Sequence, residues 1–319
     1  MNVKKVCILG GSGFVGRHIA YRLASEGYRC RVLTRHAHRH RDLATSTGCE
    51  LVEANVFDTA ALTDVLRGQD AVINLIGILN ETGRRQTFRQ IHVDLVDVVV
   101  KACHAAGVRR VLHMSALNAD AAAGTSQYLR TKGEGENLAH TRGQPDIAVT
   151  SFRPSVIFGR DDSFINRFAA LLRIPGPLPL ACPDARFAPV YVVDVARAFV
   201  DSLTARETFG KRYELCGPQS YRLEELVRYI AGQLGMQKWI LRMPDGASRL
   251  QARVLEHVPG KPFTMDNYLS MQQDSVCHDD GLGRLGIEAT HLESVVPQFL
   301  RQESPRGRLD ALRRPRAEG

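Results

Sequence analysis

Three residues near the middle of the chain have the types and order for proton transfer. Ser115 ends the apolar run 108–115, and Tyr128 and Lys132 follow in Tyr128-Leu129-Arg130-Thr131-Lys132. On a helix, residues at i and i+4 share a face, so the phenol and the ammonium are expected side by side. A neighbouring ammonium favours the phenolate and draws a tyrosine pKa down from about 10 toward neutral pH. Such a phenol can pass a proton to or from a carbonyl or an alcohol, and Ser115 would hold that oxygen. Reduction or oxidation at that carbon also needs a hydride carrier.

The start of the chain has the pattern to hold one. The strand-like run 3–9 breaks into Gly10-Gly11-Ser12-Gly13-Phe14-Val15-Gly16, and a helical pattern follows through Ile19 and Leu23 to Gly27. Spaced as G-x-x-G-x-x-G, Gly10 allows the turn, Gly13 lets backbone reach a pyrophosphate and Gly16 lets helix pack on strand. The helix start at Phe14 and Val15 then offers free N–H groups to the phosphates. A site selective for NAD usually carries Asp or Glu at the end of the second strand, whereas this one ends Leu33-Thr34-Arg35-His36 with Arg39 close behind. Arg35 and Arg39 suit a 2'-phosphate, so NADP(H) is expected over NAD(H). Asn55 and Val56, past the third strand, are placed to flank the adenine. Leu75, Ile76 and Gly77, past the fourth, would lie under the middle of the dinucleotide, because ligands bind outside the carboxyl ends of parallel strands. Lys132 could reach the nicotinamide ribose as well as the tyrosine.

These residues need a frame, and the sequence supplies one. Apolar runs at 29–34, 50–54, 70–76, 108–115 and 147–152 alternate with helical patterns, the clearest at 87–106, closed by Gly107, and 127–141. The alternation predicts an α/β chain with a Rossmann-type doubly wound parallel sheet over residues 1–155. From residue 156 the rhythm is broken by Pro175, Pro177, Pro179, Pro183 and Pro189. A smaller mixed C-terminal lobe is expected over 156–303, with segments exchanged with the first domain allowed. Helices are expected at 163–172, 193–204, 222–235 and 246–256 and strands at 212–216 and 238–242. Residues 304–319 read as a basic tail.

The chain has 319 residues, 44% of them hydrophobic, with 42 Lys and Arg against 34 Asp and Glu. Such a basic excess suits an anionic partner: a phosphorylated cofactor, an anionic membrane surface or nucleic acid. Nucleic acid is disfavoured because neither the 35–41 cluster nor the tail has interleaved aromatics, and no DNA-binding motif is present. The seven cysteines have no C-x-x-C spacing, so neither a disulfide framework nor a metal site is expected, and they read as small core residues. No apolar run approaches the roughly 20 residues of a membrane helix. A soluble cytoplasmic protein is expected.

Taken together, the glycine turn, strand-ending Ser115, Tyr128 with Lys132, and Arg153-Pro154 resemble the short-chain dehydrogenase/reductase superfamily in its extended or atypical form. The phrases 10–18, 74–79, 128–136 and 153–159, and 304–310 near the end, are similar to the branch that contains the NADPH-binding accessory subunit of respiratory complex I. The resemblance implies that Met114, Pro154 and Val156 line the nicotinamide end. It also implies a tightly held NADPH of structural role and no established turnover, and a related fungal protein belongs to the ubiquinone-biosynthesis complex. The function so implied is an accessory or assembly factor of complex I or a quinone-linked system, peripheral on the cytoplasmic face of the inner membrane. The alternative is an active NADPH-dependent reductase, epimerase or dehydratase with Tyr128 as proton donor. One departure stands out: such enzymes usually carry Asn where this chain has His92, which either donates to a ribose or sits satisfied in its helix.

Overall fold

A computed structural model describes residues 3–83 and 86–303, so the expected tail 304–319 lies outside them. In chain order the first half contains β1 (Lys5–Leu9), α1 (Phe14–Ser25), β2 (Arg29–Thr34), α2 (Arg41–Thr47), β3 (Glu50–Glu53) and α3 (Thr59–Leu66). It continues with β4 (Ala71–Asn74), α4 (Leu95–Ala106), β5 (Arg110–Met114), α5 (Gln127–Gly143) and β6 (Ala148–Pro154). A short π-helical turn, Gln90–Asp94, leads into α4. Then come β7 (Ile157–Phe158), α6 (Ser163–Arg173), β8 (Leu178–Leu180), β9 (Arg186–Phe187), β10 (Val190–Tyr191), α7 (Val192–Asp201) and β11 (Arg212–Leu215). The described residues continue through β12 (Tyr221–Arg222), α8 (Leu223–Gln233), β13 (Ile240–Arg242), α9 (Asp245–Leu255), α10 (Met265–Ser270), α11 (Gly281–Arg284) and α12 (Leu292–Glu303).

Two compact units emerge. The first joins the chain up to Ser155 with Val192–Cys216 and Cys277–Glu288. Its seven strands run in the order β11-β6-β5-β4-β1-β2-β3, all parallel. This is the expected doubly wound Rossmann-type sheet, and the order reverses between β1 and β4, where such sheets open a crevice. Strands β1 and β4 are nearly all buried, and with α3 and α4 they form a core that includes Leu9, Leu62, Leu66, Val96, Val99 and Val100. Helix ends follow local chemistry. Asp58 caps α3 by accepting from the Ala60 and Ala61 amides, Ser126 caps α5 through Leu129, and α4 stops at Gly107 in the left-handed region with φ +74°.

Among the described residues, the second unit joins Val156–Tyr191, Gly217–Val276 and 289–303. Its core packs α6, α8 and α12 through Ile165, Leu172, Leu226, Ile230, Val296 and Leu300. Of the region 156–303, Val192–Cys216 and Cys277–Glu288 group with the first unit. Its 192–216 segment returns to the first unit because β11 hydrogen-bonds along β6 and extends the main sheet. The expectation that cysteines form no cross-link is corrected: Cys216 and Cys277 are disulfide-bonded, because β11 and the return of the chain bring two residues 61 apart in sequence together. Cys7, Cys30, Cys49 and Cys103 are buried free thiols.

Candidate active site

The glycine turn is built as its spacing requires. Gly10 sits at φ +79°, and the Gly13 amide donates to its carbonyl at 3.1 Å. A Cβ on Gly16 would stand 2.4 Å from the Gly11 Cα and 2.5 Å from the Gly10 oxygen, so only glycine lets α1 start this close to the turn. Unlike α3 and α5, α1 begins without a side-chain cap at Gly13. Phe14 and Val15, both half-buried, open it with amides that no side chain among the described residues has claimed.

From the turn, contacts lead directly to the proposed chemistry. A Cβ on Gly10 would lie 3.4 Å from the Ile76 amide nitrogen, which itself donates to the Asn74 side chain at 3.2 Å. Leu75 is tied by its amide to the Leu9 carbonyl. Gly77 is exposed, and a Cβ there would meet Lys132 Nζ at 3.6 Å and His92 Nε2 at 3.7 Å. Lys132 is buried, and its ammonium donates to the Met114 carbonyl at 2.6 Å. Burial pulls its pKa down to about 8, with the Glu136 carboxylate opposing. Next along β5, Ser115 is 2% exposed, and its Oγ has no hydrogen-bond partner among the described residues. A buried hydroxyl without a partner fits a site that completes its bonding with a ligand.

Tyr128 is half-buried, its ring edge-on to His92 at 5.5 Å and to Phe88 at 6.0 Å. His92 lies in the π-helical turn, where Nε2 accepts from the Ile78 amide at 3.2 Å and Nδ1 meets Thr131 Oγ1 at 3.0 Å. Thr131 gives its own hydrogen to the Gln127 carbonyl at 2.8 Å, so the histidine proton sits on Nδ1. Burial, with the Lys132 charge adding, holds the ring neutral by pulling its pKa down to about 2. Both ring nitrogens are used inside the protein. Gly135 makes the contact possible, since a Cβ there would stand 1.8 Å from the His92 carbonyl oxygen.

Residues at the other end of the sheet fall out differently. Arg35 and Arg39 are exposed and make no ion pair among the described residues. Asn55 spends its side-chain oxygen on the Phe57 amide at 3.1 Å, and Val56 packs against the core. Pro154 is half-buried and its carbonyl accepts from Leu117, while Val156 belongs to the second unit. Three features escaped the linear reading. Arg17 on α1 donates to the Ser12 carbonyl at 3.3 Å and pairs with Asp42 at 2.6 Å, pinning the basic segment to the glycine turn. Glu53, at the end of β3, accepts from the Ala37 amide at 2.5 Å, so an acid does enter this neighbourhood from the next strand. Fully buried Glu136 holds Arg153 in a fork at 2.9 Å and also pairs with Arg212 of β11. Only Glu136 carried a sequence signal, its i+4 spacing from Lys132.

A glycine cradle on an uncapped helix, at the reversal point of a parallel sheet, is the frame of a nicotinamide dinucleotide site. A model of the NAD dependent epimerase/dehydratase family matches residues 6–216. The chain belongs to that family. Among its relatives is the mitochondrial NADH dehydrogenase (ubiquinone) 1 alpha subcomplex subunit 9 of Rattus norvegicus, 30% identical over 308 residues, spanning 92% of this chain and 79% of that one. A ceramide reductase of Caulobacter vibrioides is 29% identical over 246 residues, or 75% of this chain and 74% of that one. The fold also superposes on the NADPH-dependent quinone oxidoreductase QOR2 of Escherichia coli, solved with NADPH, with a TM-score of 0.72 at 22% identity over 92% of this chain and 99% of that one. On this epimerase/dehydratase-family frame, neutral His92 stands edge-on to Tyr128 at 5.5 Å and close to Lys132 across Gly77.

Proposed function

We propose that the protein binds NADP(H) in its first unit and serves as an accessory or assembly subunit of a respiratory complex I or quinone-linked system. The 30% identity to a complex I subunit over 92% of the chain is the observation that supports this role. Gly10, Gly13, Gly16 and the start of α1 would hold the pyrophosphate, Arg35 and Arg39 the 2'-phosphate, and Lys132 the nicotinamide ribose. A ligand held far above its dissociation constant stabilises a fold by several kcal/mol, so such a cofactor acts as a structural part. A second reading is favoured by the unpartnered Ser115 Oγ: a working reductase. When bound, the reduced cofactor supplies hydride. Tyr128 would give its proton to the carbonyl oxygen, Ser115 would donate a hydrogen bond to that oxygen, and Lys132 would favour the phenolate left behind.

The test is a titration of the purified chain with NADPH and NADH, read by nicotinamide fluorescence. Arg35→Glu with Arg39→Glu is expected to lower the preference for NADPH by about 100-fold, each lost charge-assisted contact to phosphate being worth about tenfold. Unchanged discrimination would overturn the phosphate assignment. NADPH oxidation by quinones or small carbonyls that Tyr128→Phe abolishes would replace the structural reading with the catalytic one.

A further inference from the structure

The second unit carries an exposed apolar surface that has no part in cofactor binding. Strands β8 and β13 run parallel with Leu241 opposite Pro179, and the Leu178 amide donates to the Trp239 carbonyl at 2.8 Å. Alternation turns Ile240 inward and leaves Trp239 82% and Leu241 50% exposed. Ile174, just before β8, is 58% exposed, and its carbonyl accepts from the Lys238 ammonium, which holds it beside Trp239. Helix α9 adjoins the strand pair through Gln251, which donates to the Pro179 carbonyl at 3.4 Å. Ser248 and Ala252 face inward, so Leu250 and Val254, one turn apart, point out at 62% and 58% exposure.

Its free charge is positive. Arg249 and Arg253 flank Leu250 and Val254, are exposed and make no ion pair among the described residues. Of the nearby carboxylates, Asp184 pairs with Arg222 and Arg242 and Glu224 with Arg228 and Arg242, while Asp245 at the start of α9 accepts from the Tyr268 hydroxyl and Glu256 at its end from the Met265 amide. We propose that this face is a docking surface for an anionic lipid bilayer, with Trp239, Leu241, Leu250 and Val254 entering at headgroup depth and Arg249 and Arg253 meeting lipid phosphates. An exposed tryptophan among arginines and aliphatic side chains matches the headgroup layer, which solvates an apolar body and a polar edge together. The unpaired arginines decide the occupant. A second copy would set guanidinium against guanidinium, whereas anionic lipid draws them in. Among the described residues no helix is long and apolar enough to cross a membrane, so the contact is with the surface.

The chain contains a single tryptophan, so its emission reports this face alone. The full-length protein is mixed with vesicles of phosphatidylcholine containing about 30% phosphatidylglycerol, or of phosphatidylcholine alone. The anionic vesicles are expected to shift the emission to the blue and to sediment the protein, with about tenfold weaker binding to neutral vesicles. Leu250→Asp with Val254→Asp, both on the surface, is expected to weaken sedimentation at least tenfold while NADPH binding and circular dichroism stay unchanged. Absence of a blue shift, or sedimentation that survives the double substitution, overturns the proposal. So does a concentration-dependent dimer, formed without vesicles and abolished by the same substitutions, which would assign the face to a second copy.

Discussion

Lys132 is the residue on which the site's electrostatics turn, because it is charged, buried and bonded to a carbonyl rather than to a carboxylate. Its pKa in the fold, about 8, lies below the ordinary lysine value, so the folded state releases this proton before the unfolded chain does. Between about pH 8 and the ordinary lysine range the unfolded state holds more protons, and stability from this group rises with pH. Denaturant unfolding at about pH 7.5 and about pH 9.5 is therefore expected to show about 2 kcal/mol more gain in the wild type than in Lys132→Met. Equal gains in the two proteins would mean that the ammonium is not desolvated in the fold. The same ammonium, with burial, keeps His92 neutral while its two ring nitrogens bond to the Ile78 amide and Thr131.

At the scale of elements, the first unit is locked by one buried arginine. Arg110 on β5 is fully buried and donates to the carbonyls of Ala148, Ser202 and Leu203 at 2.9, 2.7 and 3.3 Å and to Thr208 Oγ1 at 2.9 Å. It also lies over the Phe209 ring at 4.5 Å, and burial draws its pKa down to about 9. Carbonyls just past the end of α7 thus take the place of a carboxylate partner and join β5, β6 and α7. Arg110→Met would leave them unpaired in the core and is expected to cost about 3 kcal/mol in denaturant unfolding. Arg110→Lys should lose nearly as much, because one compact ammonium with three hydrogens cannot serve the four acceptors that the guanidinium spans; wild-type stability in that variant would refute the fork. None of this was legible in the sequence, where Arg110 reads as a charge at the edge of an apolar run. The six leading strands were legible because each is marked by local signals, an apolar run followed by a cap or a glycine stop. The membership of α7 and β11 in the first unit was not, since it depends on pairing between residues about 60 apart, such as Ser151 with Arg212. The π-helical turn that presents His92 likewise has no period of its own within 87–106.

For the molecule as a whole, the decisive feature is where the chain leaves one unit and comes back. It departs the first unit after Cys216 and returns at Cys277, and the disulfide joins those two residues across a separation of 61. Around the bond the return is fastened tightly: the His278 amide donates to Glu214 at 2.7 Å, and a Cβ on Gly281 would stand 2.1 Å from the Glu214 oxygen. Closing a loop of that size removes conformational freedom from the unfolded chain, and a chain-entropy argument sets the gain at about 4 kcal/mol. Cys216→Ser with Cys277→Ser is therefore expected to lower the unfolding free energy by up to that amount under oxidising conditions, and reductant should bring the wild type down to the same level. NADPH affinity should not change, because the glycine turn and Lys132 make none of these contacts. Thiol titration of the denatured protein provides the independent check: the five unpaired cysteines should react when the bond is present and all seven after reduction. Seven reactive thiols in the oxidised protein, or an unfolding midpoint indifferent to reductant, would show that the return of the chain is held by Glu214 and the close approach of Gly281 alone.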